Sequence, residues 1–147
     1  MPVVLACLLS ATAAFARAPG CQYSPMTFDA ASSRVVVDAY TVTISNPDSA
    51  TAPTIWEGPL IIQNRQSGKI CTVNQGGLVH RPLFSFDHRF LVVVTTSGSN
   101  FRTVAVDLQE CKVTGASAKM TGPITFDGGQ VLVAGGVAEA LGCSPPR

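Results

Sequence analysis

The chain has 147 residues, and its 10 Lys and Arg against 9 Asp and Glu leave a formal net charge of +1. That balance gives electrostatic reason for neither a nucleic-acid partner nor a membrane surface. With 13% charged and 46% hydrophobic residues, the composition suits one globular domain with a modest core.

The first element in chain order is an apolar, small-residue run at 3–16, VVLACLLSATAAFA, which ends in the A-x-A pattern Ala14-Phe15-Ala16. It falls short of the ~20 apolar residues that span a bilayer. The sequence therefore predicts a signal peptide over 1–16, cut before Arg17, and an exported single domain over 17–147 with no membrane segment after cleavage. Cys7 leaves with the leader, so four cysteines remain: Cys21, Cys71, Cys111 and Cys143. No two of them stand at metal-type C-x-x-C spacing, and an oxidising compartment favours two disulfides instead. Three pairings are open. Cys21–Cys71 with Cys111–Cys143 is favoured here because each bridge joins chain neighbours, at about 3–4 kcal/mol apiece.

β-branched runs then recur between turn signals, with no convincing helical periodicity. RVVVDAYTVTI (34–44) reads as one run, followed by the loop SNPDSATAP (45–53). PLIIQN (59–64) and KICTV (69–73) flank Arg65-Gln66-Ser67-Gly68 as a hairpin. LVHRPLF (78–84) follows Gly76-Gly77, and FLVVVTT (90–96) and FRTVAVDL (101–108) enclose the four residues Ser97-Gly98-Ser99-Asn100. KVTGA (112–116) and QVLVAGG (130–136) complete the strands, with a short helix expected near VAEAL (137–141).

Thr27-Phe28-Asp29, Ser85-Phe86-Asp87 and Thr125-Phe126-Asp127 each precede a turn and then an apolar strand. The last two lie 40 residues apart, near the period of a propeller blade. The mature chain holds about three such units, and a propeller needs at least four. The expected fold is all-β: antiparallel meanders in an open, propeller-blade-like or sandwich arrangement, stapled by disulfides.

Catalytic and cofactor patterns do not appear. The sequence contains no G-x-S-x-G, H-E-x-x-H, P-loop or G-x-G-x-x-G. His80 lies in a strand and His88 in a turn, and two histidines make a poor metal site. Oxidised cysteines offer no thiolate, and no serine has a base in evident reach. The expectation is a protein that is not an enzyme and carries no metal or cofactor. Trp56 reads as a core plug more readily than as an exposed patch beside Glu57. Binding is then the open role, and Ser97-Gly98-Ser99-Asn100 is a narrow tip of small polar residues on stiff strands. Gly98 alone accounts for the chain reversal.

Residues 97–113, SGSNFRTVAVDLQECKV, resemble the periplasmic immunity proteins that neutralise peptidoglycan amidases delivered by type VI secretion. The likeness takes in Cys71, Gly76-Gly77, the turn SFDHR (85–89), Cys21 and, more loosely, Cys143. In that family a serine-bearing loop enters the amidase cleft and occludes its Cys–His pair. The resemblance implies that Ser97, Gly98, Ser99 and Asn100 form the inhibitory loop, with Ser99 reaching furthest and Asn100 standing where some relatives have a second Ser. Thr96, Phe101 and Arg102 are candidate rim contacts by position. The implied partner is a cognate secreted amidase, a protein, met in the periplasm. An inhibitor of another hydrolase (lysozyme or a protease), a glycan- or surface-binding β module, and a homodimer stay open as alternatives.

Overall fold

The computed structural model describes residues 22–133 and 136–137, and every regular element among them is a β-strand. In chain order these are β1 (Ser24–Pro25), β2 (Arg34–Val37), β3 (Tyr40–Ile44), β4 (Ile55–Trp56), β5 (Leu60–Asn64), β6 (Ile70–Val73) and β7 (Leu78–Phe86). They continue with β8 (Phe90–Ser97), β9 (Asn100–Asp107), β10 (Lys112–Ala116), β11 (Ile124–Asp127), β12 (Gln130–Val133) and β13 (Gly136–Val137). All pairings are antiparallel and form three open sheets.

The central sheet runs β1-β7-β8-β9-β10, with β4 sharing the β7 edge alongside β1. One face of it packs on the four-stranded sheet β2-β3-β5-β6. Val35, Val42, Ile44, Leu60 and Ile62 of that sheet meet Trp56, Val79, Leu91, Val93 and Val104 in one buried cluster. The opposite face carries Phe84, Phe86, Val92, Val94 and Ala105, covered by Tyr23 and by Val131 and Ile124 of the small sheet β11-β12-β13. The result is a stack of three sheets.

This layering explains two kinds of strand sequence. The outer strand β2 alternates exposed and buried, and β5 nearly so, as one-faced strands do. β8 is buried without interruption from Leu91 to Thr96, because both its faces meet a neighbouring sheet. Its unbroken Leu-Val-Val-Val run is what such a position requires.

The Thr/Ser-Phe-Asp repeats precede the turns into β2, β8 and β12. Phe28 meets Trp56 edge-on at 4.6 Å, and Asp29 accepts bonds from the Ala31 amide and the Ser32 hydroxyl before β2. Phe86 stacks on Phe90 at 4.8 Å across the turn into β8. Phe126 stacks on Phe84 at 5.9 Å before the turn into β12. Trp56 is 1% exposed and donates its indole N–H to the Ser33 hydroxyl at 2.9 Å, so it is a core residue.

Two expectations change. The run 34–44 is a hairpin: Val37 pairs with Tyr40 around Asp38-Ala39, and Asp38 takes a left-handed φ of 49°. The disulfide joins Cys71 to Cys111, which overturns both favoured pairings. The cause is sheet-on-sheet packing: it sets β6 beside the turn after β9, so the bridge ties two sheets together instead of chain neighbours. Cys21 and Cys143 lie outside the described residues, as do the proposed leader 1–16 and residues 138–141 of the expected helix, whose first residue, Val137, belongs to β13.

Candidate functional site: the β8–β9 tip

β8 and β9 pair without a bulge from Phe90–Asp107 to Ser97–Asn100. The connecting loop is therefore two residues, Gly98-Ser99, flanked by a paired Ser97 and Asn100, rather than four. Gly98 has a φ of 63°, and Ser99 is not among the positive-φ residues, the pattern of a type II′ turn. A Cβ on Gly98 would meet nothing within 4 Å, so conformation alone demands glycine here.

The hairpin is braced almost to its end on both edges. On the β8 side, Leu78 of β7 pairs with Thr96, whose Oγ1 lies 2.9 Å from His80 Nε2. On the β9 side, the chain beyond β10 keeps following the strand. The Ser117 amide donates to the Thr103 carbonyl at 2.9 Å, and Phe101 and Met120 exchange two backbone bonds of 2.7 Å. His80 also meets Phe101 edge-on at 6.3 Å. Only the turn and its flanking pair project, with Ser97, Gly98 and Ser99 exposed and Asn100 half-buried. No side-chain hydrogen bond within the described residues engages Ser97, Ser99 or Asn100. Two hydroxyls and an amide are thus presented on a rigid support, an arrangement that loses little side-chain entropy on binding.

Two shallow clefts adjoin the tip and share Gly76, Thr96 and Ser97. One, of about 260 Å³, is lined by Gly76, Thr95, Thr96, Ser97, Asn100, Phe101, Arg102 and Lys119. The other, of about 570 Å³, is lined by residues 74–78 together with Glu57, Thr96, Ser97 and Gly98. Gly76-Gly77, noted in the sequence, now has a structural reason. Gly76 takes a φ of 80°, and a Cβ on Gly77 would sit 3.2 Å from both Thr95 Cβ and the Thr96 carbonyl. The loop can therefore press against the end of β8, where the buried Gln75 donates to the Gly58 and Gly77 carbonyls at 2.9 Å.

The structure thus brings Thr96, Ser97, Gly98, Ser99, Asn100, Phe101 and Arg102 together at one end of the stack. Phe101 and Thr96 brace the hairpin and, with Arg102, also line the smaller cleft. Lys119 and Glu57 join this end although the sequence reading passed over both as contacts for the tip. Neither carries a local signal, because their proximity depends on the course of 117–120 and on the loop before β5. His88 is exposed in the three-residue turn between β7 and β8, far in register from the tip. No group of three metal-ligating side chains occurs among the described residues.

The tip is thus projecting, braced and unengaged on a layered β scaffold. The family model described as immune protein Tsi1 matches residues 18–136, and the chain belongs to that family. It is an immunity protein for type VI secretion effectors, and its partner is a cognate effector protein. No curated protein sequence matches the chain.

Proposed function

We propose that the chain binds and inhibits a secreted peptidoglycan amidase in the periplasm, without catalysis of its own, by inserting the Gly98-Ser99 turn into the enzyme's Cys–His cleft. Residues 1–16 are the export signal in this reading. The observation that carries it is the tip itself: a two-residue turn, braced on both edges, whose flanking hydroxyls and amide have no partner within the described residues. Ser99 reaches the catalytic pair, with Ser97 and Asn100 at its sides. A hydroxyl presents no scissile carbonyl, so the enzyme cannot turn it over. Tight neutralisation needs about 1,600 Å² of interface, more than the turn alone supplies, so the flanking clefts share in the contact.

The test is coexpression with a candidate secreted peptidoglycan amidase effector, followed by amidase assay and binding. Ser99→Trp is expected to weaken inhibition by more than 30-fold, about 2 kcal/mol or more for a central contact, with the thermal transition unchanged. Full protection by that folded variant overturns the tip assignment.

A further inference from the structure

We infer that the smaller cleft beside the turn, floored by Arg102 and Lys119, is a carboxylate socket that receives an acidic side chain from the lip of the partner's cleft. This rests on the reading of the tip as the inserted element, and adds to it a second, charged contact of defined chemistry.

Three observations converge on it. The Arg102 Nε is buried yet has no hydrogen-bond partner, a state that leaves a strong donor unsatisfied in the free protein. The cleft contains two cationic residues and no carboxylate; its other polar side chains are Thr95, Thr96, Ser97 and Asn100. The ion pairs among the described residues involve only Arg89, Asp107, Glu110 and Lys112, so neither Arg102 nor Lys119 is committed elsewhere. A guanidinium presents its N–H groups as a planar fork that fits a carboxylate with two parallel bonds, and Lys119 adds a point charge. The adjoining larger cleft, which shares Gly76, Thr96 and Ser97 with this one, carries Glu57 and no cation.

The experiment has two arms. In the first, the isotope-labelled full chain is titrated with N-acetyl-L-glutamate, with N-acetyl-L-glutamine at matched ionic strength as the neutral counterpart. The Arg102 Nε–H and Asn100 side-chain amide resonances should move saturably with the acid alone, and Arg102→Gln should abolish the Asn100 response. Equal movement with both compounds, or none, overturns the socket. In the second arm, binding to the coexpressed effector is measured across salt concentrations for an Arg102→Gln/Lys119→Gln variant, with Arg102→Lys as the variant that keeps charge but loses the fork. The double variant should bind 10- to 100-fold more weakly, roughly what one charge-assisted bidentate contact supplies. Its affinity should also depend less on salt. Unchanged affinity and salt dependence, with Ser99→Trp still disruptive, overturns the socket and leaves the tip reading standing. The reverse pattern overturns the tip reading, and with it the seating of the socket at the cleft lip, and leaves Arg102 and Lys119 as a charged contact with the effector.

Discussion

The two ends of the β8–β9 hairpin share strands and register but are built oppositely. At the Phe90–Asp107 end, Arg89 forks onto Asp107 with bonds of 2.9 and 2.5 Å, and Asp107 also accepts the Gln109 and Glu110 amides at 3.0 Å. Glu110 continues the chain of charges to Lys112 at 2.5 Å, Arg89 lies over the Phe90 ring, and Cys111 is covalently tied to Cys71. At the Ser97–Asn100 end, among the described residues, there is no ion pair and no covalent link, and the polar groups are open. The described residues concentrate their ionic and covalent ties at one end, so the other can remain uncommitted without loosening the fold. Stability and recognition should therefore respond to mutation at different ends.

The sharpest way to break that division is at the disulfide. Its bridge spans 40 residues, for which the loop-closure relation gives about 4 kcal/mol. Cys111→Ser should lower urea-unfolding stability by nearly that much and abolish protease resistance in the absence of any partner. Next comes Asp107→Ala, which removes a buried acceptor of four hydrogen bonds. A loss of about 2–3 kcal/mol is expected by chemical denaturation, since the Arg89 fork and two turn amides lose their acceptor. At the tip, Gly98→Val places a β-branched residue at a φ of 63° and should cost only about 1–2 kcal/mol, while blurring the Ser97–Asn100 pair in amide exchange.

The smallest effect is a pH dependence. Burial pushes the Asp107 carboxyl upward, but the Arg89 bonds, the Glu110 amide and the Arg89 charge outweigh it and hold its pKa below 3.8. A carboxyl depressed in the folded state stabilises it fully above the unfolded pKa, near 4, and that contribution is lost as pH falls through the folded value. The wild type should therefore lose stability below about pH 4 more steeply than Asp107→Asn. Equal acid slopes would show that the Arg89–Asp107 pair does not set this end apart.

Much of the fold was legible because strands announce themselves locally. The hairpin around 65–68, the strands on both sides of the tip and the strand 112–116 follow from β-branched runs between turn residues. What was missed depends on contacts distant in sequence. The Asp38-Ala39 reversal hides inside a valine- and threonine-rich run, with a lone Asp as its only marker. The Cys71–Cys111 bridge follows from how two sheets stack, which no spacing encodes. The seamless burial of Leu91–Thr96 was visible as an apolar run, but a strand covered on both faces was not distinguished from one covered on a single face. For the site, Gly98 could be read from turn chemistry and Ser99 only by resemblance. Lys119 reaches the tip only because the chain after β10 keeps to the edge of β9.

A two-residue reversal has no slack. Inserting one residue between Ser97 and Asn100 would either undo their pairing or shift a strand by one position, which turns its buried side chains toward the wrong layer. The braces at Thr96 and Phe101 resist either outcome. In the proposed mode of inhibition, the tip cannot adapt to a different enzyme by growing longer. Its vocabulary is confined to side-chain exchange at Ser97, Ser99 and Asn100 and to the charges on its flanks, so related proteins with different targets should differ there in chemistry and not in reach.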